Sequence, residues 1–113
     1  MIIEILKIIA AVGTILTGIF SLVAPRKVQG FTGLTAEGGR GITEIRAILG
    51  GVFIGAGLFV LILNTPDVYI MLGAIYLVIA FVRLVSMFID NSIVKSNVIS
   101  FITEIILGVI LIL

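Results

Sequence analysis

The chain has 113 residues, a mean hydropathy of +1.44 and 12% charged residues, whereas soluble globular domains carry about 25% charged residues. This composition excludes a soluble fold and indicates that lipid is the solvent. The net charge of +1 argues against a nucleic-acid partner, and the absence of Cys and His excludes disulfides, thiol nucleophiles and the usual zinc, haem or Ser-His-Asp sites. No metal or other cofactor is predicted.

Four apolar segments are long enough for a helix that crosses a bilayer, which takes about 20 residues. The predicted spans cover residues 2–24, 41–63, 67–90 and 96–113. The connections at 64–66 and 91–95 are short, so the spans that they join are expected to be antiparallel neighbours. The predicted fold is all-α, a single four-span membrane domain over residues 1–113 that forms an antiparallel four-helix transmembrane bundle.

The first segment is predicted to stay as a span instead of being cleaved as a signal peptide. Its start carries Glu4 before Lys7, which is not a basic region, and Leu22 stands where cleavage after Ala24 needs a small residue. Glu4 and Lys7 are three residues apart and are expected to pair at the membrane interface.

The distribution of Lys and Arg predicts the orientation in the cell membrane. The first and third loops hold most of these residues, so the glycine-rich loop is expected to be cytoplasmic and both termini outside. The basic residues of these loops are Arg26, Lys27, Arg40 and Lys95.

Three charged residues lie well inside the predicted spans, on the cytoplasmic side. At 1.5 Å per residue, Arg46, Arg83 and Glu104 lie about 8, 10 and 12 Å from the ends of their helices. A charge at such depth costs about 3 kcal/mol, a cost that falls if opposite charges face each other. The sequence predicts an Arg83–Glu104 pair, with Glu44, Arg46 and Asp90 extending a polar network toward the surface.

Helical spacing supports this interpretation. On the third span a polar residue recurs every seven positions and so lies on one face, at Tyr69, Tyr76, Arg83 and Asp90. Asn97 and Glu104 share a face of the fourth span, whereas Glu44 and Arg46 lie about 200° apart on the second. The candidate ligand-binding or polar-network residues are Glu44, Arg46, Tyr76, Arg83, Ser86, Asp90, Asn97 and Glu104.

Small residues at four-residue spacing are typical of close helix packing in membranes. The glycines assigned to helix packing are Gly18, Gly50, Gly51, Gly55, Gly57 and Gly108.

The stretch "GLTAEGGR" has the outline of a phosphate-binding loop. Gly39-Arg40 stands where that motif needs Lys-Ser/Thr, so nucleotide binding is not predicted. The stretch is expected to be an interfacial loop near anionic lipids.

The blocks "GITEIRAILGGVFIGAGLFVL", "RLVSMFID" and "TEIILG" resemble the domain-of-unknown-function family 4345, small four-helix membrane proteins near the DoxX-like proteins. The resemblance covers about residues 25–108. It implies a four-helix membrane bundle with charges converging at one end, and DoxX-like relatives suggest association with membrane complexes or lipid-like ligands. Such families often have Gly after the acid that ends the third helix, where this chain has Asn91. Small multidrug transporters are similar in size only, because they depend on an acid deep in the first span.

Three functions remain open. The first is binding or transport of a small ligand, ion or lipid, with Arg83 holding an anionic group and Glu104 a cation or proton. The second is a structural or assembly role in which these charges pair helices. The third is a membrane enzyme acting on lipid, with Glu104 or Asp90 as acid/base and Tyr76 or Ser86 as donors. Partners expected in each case are the lipid bilayer and further copies of the chain, as a homodimer or larger homo-oligomer.

Overall fold

The structure is a computed structural model that describes residues 1–113, and it is all-helical, without strands. Its five helices are α1 (Ile2–Val23), α2 (Pro25–Thr32), α3 (Gly38–Leu63), α4 (Pro66–Ile89) and α5 (Lys95–Ile112). All except α2 are long and apolar enough to cross a membrane, with 22, 26, 24 and 18 residues. The all-α class and the presence of four helices long and apolar enough to span a membrane are confirmed, while the single antiparallel bundle and the orientation stay predictions.

The first connection differs from the predicted interfacial loop, because it contains helix α2 and the first turn of α3. Pro25 ends α1 and also begins α2, where its fixed φ suits the first helical position. Gly33 closes α2 with a left-handed φ of 76°, and its N–H donates to the Gln29 carbonyl at 2.8 Å. The proline that interrupts one helix therefore starts the next.

A π-helical segment interrupts the α-helix of the second span. Within α3 the α-helical stretches Gly38–Glu44 and Phe53–Leu63 flank a π-helical segment, Ile45–Val52. That segment contains Gly50-Gly51, and glycine is a weak α-helix former. Because π-helical turns are wider, positions on either side of the segment do not keep the α-helical spacing that the sequence analysis assumed for this span.

The chain divides into two compact units. The first unit consists of residues 1–10 and 64–113, which are the start of α1 with α4 and α5. The second unit consists of residues 11–63, which are the rest of α1 with α2 and α3. α1 therefore contributes to both.

Glycines allow backbones to approach closely within each unit. In the second unit a Cβ on Gly18 would lie 2.7 Å from the Gly50 carbonyl oxygen, and a Cβ on Gly57 would lie 2.7 Å from the Ala11 carbonyl oxygen. In the first unit a Cβ on Gly73 would lie 2.9 Å from the Gly108 carbonyl oxygen. These distances leave no room for a side chain between the paired helices.

The structure differs from the packing prediction at Gly51 and Gly55. A Cβ at either position would meet no atom within 4 Å. Their neighbours Gly50 and Gly57 provide the close approach, because only these face α1. Gly73, which was not predicted, takes part with Gly108.

Candidate functional site

A charged pair links α4 and α5 in the first unit. Arg83 Nε donates to Glu104 Oε1 at 2.8 Å, and Arg83 Nη2 donates to Glu104 Oε2 at 2.7 Å. Glu104 is buried, with 8% of its surface exposed, whereas the Arg83 side chain is 30% exposed. The bidentate geometry is the strongest form of Arg–carboxylate contact. It offsets the cost of placing two charges inside a membrane span.

Asn97 and Ser92 extend this pair toward the turn between α4 and α5. Asn97 Oδ1 accepts a hydrogen bond from Arg83 Nη1 at 2.9 Å. Asn97 Nδ2 donates to the Ser92 carbonyl oxygen at 2.9 Å and to Ser92 Oγ at 3.2 Å. The guanidinium orientation is therefore held from both sides, by Glu104 and by Asn97. Ser92 was not among the predicted site residues.

The turn after α4 positions Ser92. Asn91 has a φ of 50°, and the Ser92 N–H donates to the Met87 carbonyl at 3.0 Å. This six-to-one hydrogen bond after a left-handed residue is a Schellman ending, which glycine or asparagine makes possible. Asn91 thus takes the left-handed position of this turn without being glycine.

Arg83 lines a cleft of about 430 Å³ on the side of α4. We call it the Arg83 cleft, and its lining residues are Val78, Ile79, Val82, Arg83, Ser86, Asp90, Ser92 and Asn97. Val78 and Val82 are 62% and 60% exposed, so this side of the cleft is open and apolar. Asp90, at the end of α4, is exposed.

Arg83 keeps donors for a further partner. A guanidinium has five N–H groups, and three of these donate to Glu104 and Asn97. Two N–H groups therefore remain on Nη1 and Nη2. The structure brings no three acidic side chains together that could hold a metal ion.

The remaining predicted residues lie elsewhere. Tyr76 is buried and does not line the Arg83 cleft. Glu44 is in the second unit, where it pairs with Arg40 one turn earlier in α3 and lines a separate cleft of about 370 Å³. Arg46 is exposed in the π-helical segment. A network from Glu44 and Arg46 to the deeper charges stays a prediction.

A second polar cluster lies at the start of α4, and it was not among the predicted sites. The Tyr69 hydroxyl donates to Asn64 Oδ1 at 3.0 Å, and Lys7 Nζ lies 5.9 Å from the centre of the Tyr69 ring. Lys7 does not form the predicted ion pair with Glu4, because it reaches the aromatic ring instead. Two features of the sequence pointed to this cluster. Tyr69 lies on the same helix face as Arg83, and Lys7 was expected to lie with Glu4 at the membrane interface.

Comparison with known protein families gives a match over almost the whole chain. The model of a family described as Domain of unknown function (DUF4345) matches residues 2–113. No curated protein and no solved structure matches the chain. The relation to DoxX-like proteins stays a prediction.

Proposed function

As the chain belongs to the family described as Domain of unknown function (DUF4345), which carries no assigned activity, we propose from its own geometry that it binds a small amphipathic molecule in the Arg83 cleft. The observation that carries this proposal is the pair of N–H donors that Arg83 retains in a cleft. The hydrogen bonds to Glu104 and Asn97 hold the guanidinium in place, and the two remaining N–H groups are not used by Glu104.

The charges of the cleft restrict the polar head of the ligand. Glu104 balances the charge of Arg83, and Asp90 adds a further carboxylate to the cleft. One positive and two negative groups disfavour a simple anion, since it would meet net negative charge. The head that fits has an acceptor for Arg83 and a donor or positive charge for Asp90, and is thus zwitterionic or carries hydroxyl groups.

The remaining wall of the cleft suits an apolar tail. Val78, Ile79 and Val82 line it on the side of α4, and the two valines are largely exposed. An apolar tail that contacts these valines loses no hydration, because the tail and the valine side chains are both already surrounded by lipid. Binding in this position is also the first step that a transporter of such a molecule needs.

The Asp90→Asn variant tests the proposed function. It removes a charge from the cleft without touching the Arg83–Glu104 pair, so the fold is expected to survive. Native mass spectrometry of the purified chain is expected to show an amphipathic molecule retained by wild type and about ten-fold less of it retained by Asp90→Asn. The loss of one charged hydrogen bond lowers affinity by about this factor.

Glu44→Gln is the matched control, because it neutralises an exposed acid in the second unit. It is expected to retain the molecule as wild type does. Equal retention by wild type and Asp90→Asn, or no retention by wild type, contradicts the proposal.

A structural role is the second candidate. The observation that favours it is the burial of Glu104 and its full use of both oxygens on Arg83. If the pair only joins α4 to α5, ligand retention does not depend on it. The double variant considered in the Discussion separates the two functions.

A further inference from the structure

A third cleft lies at the other end of α4 from the Arg83 cleft. It has a volume of about 400 Å³ and is lined by Glu4, Lys7 and Ile8 of α1 and by Asn64, Thr65, Pro66 and Tyr69. We call it the Lys7 cleft. All of these residues belong to the first unit. From its side chains we propose that the Lys7 cleft binds the phosphoethanolamine headgroup of a membrane lipid.

The Tyr69 hydroxyl determines which group Asn64 offers to the cleft. It donates to Asn64 Oδ1 at 3.0 Å, so the two N–H groups of the amide remain as donors. Asn64 has a φ of 49°, a left-handed conformation that asparagine tolerates better than most residues. The tight connection between α3 and α4 and the buried Tyr69 thus hold an amide donor at the cleft.

Lys7 and Glu4 offer opposite charges that do not neutralise each other. They are three residues apart on α1, yet the ion pairs of the structure are Arg40–Glu44 and Arg83–Glu104. Lys7 Nζ lies over the Tyr69 ring at 5.9 Å from its centre. A ligand with one negative and one positive group satisfies both side chains at once, whereas a simple anion meets Glu4.

Phosphoethanolamine has the required groups in the required order. Its phosphate is an acceptor for the Lys7 ammonium and the Asn64 amide, and its ammonium is a donor for the Glu4 carboxylate. A phosphocholine head has the positive charge but no N–H to donate. A phosphoglycerol head has hydroxyl groups but no positive charge.

The position of the cleft identifies a lipid as the source of this headgroup. α4 begins at Pro66 and has the length of a membrane span, so its first residues lie at the level of the headgroups. Ile8 and Pro66 add apolar surface for the glycerol and the first methylene groups. A lipid that is already in the bilayer reaches the cleft from the side.

The test measures lipid affinity by native mass spectrometry of the full chain in detergent. The probes are dihexanoyl phosphatidylethanolamine, phosphatidylcholine and phosphatidylglycerol, with free phosphoethanolamine as a fourth. We expect phosphatidylethanolamine to bind about ten-fold more tightly than each of the others, which corresponds to one charged hydrogen bond. Equal affinity for the three lipids overturns the proposal, and equal affinity for free phosphoethanolamine overturns the assignment to a lipid.

Two variants assign the effect to the cleft. Glu4→Gln is expected to remove the preference for the ethanolamine headgroup over the glycerol headgroup. Asn64→Asp is expected to weaken the binding of all three lipids, although its side chain still accepts the hydrogen bond from Tyr69. Both positions are exposed, so both variants are expected to fold, which circular dichroism checks. An unchanged preference in both variants overturns the proposal.

The control is Glu44→Gln, which neutralises an exposed acid in the second unit and leaves the Lys7 cleft intact. It is expected to bind phosphatidylethanolamine as wild type does. A loss of the preference in this variant would show that the preference does not depend on the side chains of the Lys7 cleft, and it overturns the proposal.

Discussion

Replacing Glu104 by leucine is expected to lower the free energy of unfolding by about 3 to 5 kcal/mol. The substitution leaves Arg83 inside a membrane span without the carboxylate that accepts two of its hydrogen bonds. An unpaired charge in that position is costly, because lipid supplies neither counterion nor hydrogen-bond acceptor. The measurement is unfolding by SDS titration in mixed micelles, followed by far-UV circular dichroism.

The double variant Arg83→Met/Glu104→Leu is expected to recover most of this loss. Replacing both members of a buried ion pair by apolar residues of similar size is often neutral or stabilising. Glu44→Gln is the control, because it breaks the exposed Arg40–Glu44 pair of α3 and is expected to change stability by about 0.5 kcal/mol or less. A single variant as stable as wild type, or a double variant as unstable as the single one, contradicts this account of the pair.

Replacing Gly57 by alanine is expected to lower the free energy of unfolding by about 2 kcal/mol. The added Cβ would lie 2.7 Å from the Ala11 carbonyl oxygen and 2.7 Å from Ile15 Cγ1. Since one of these is a backbone atom, α1 and α3 must move apart to accept the methyl group. The same SDS titration measures the effect.

Gly55→Ala is the matched control for Gly57→Ala. It makes the same chemical change two residues away in the same helix, where a Cβ meets no atom within 4 Å. The higher helix propensity of alanine is expected to leave stability unchanged or raise it by up to about 1 kcal/mol. Equal effects of the two substitutions would show that helix propensity, and not close approach, decides the role of these glycines.

The membrane spans were predictable because they depend on a local quantity. A run of about 20 apolar residues has few alternatives to a spanning helix, and Pro25 and Pro66 indicated the ends of the runs. Helix α2 and the π-helical segment were not predictable in this way. Residues 25–32 lack the apolar run that indicates a span, and the glycines of Ile45–Val52 allow several backbone conformations, so the sequence pattern alone does not specify one.

The part of the candidate site that lies within the helices was predictable, because the position of a residue along a helix gives its depth and its face. The depth of Arg83 and Glu104 along their helices indicated that they lie at one level, and the cost of an isolated charge indicated a pair. Ser92 and the Asn64–Tyr69–Lys7 cluster were missed, because they depend on left-handed turns at Asn91 and Asn64. Helical periodicity describes which face a residue occupies, and it does not describe how a turn places the residues that follow the helix.

We propose that Arg83 holds a ligand in addition to joining two helices. Native mass spectrometry of wild type and of Arg83→Met/Glu104→Leu tests it most directly, because the double variant is expected to fold and yet lacks the guanidinium donors. We predict that wild type retains an amphipathic molecule that the folded double variant has lost. If the folded double variant retains the same molecule to the same extent, the Arg83 cleft is not its binding site and the ion pair serves the architecture of the helices alone.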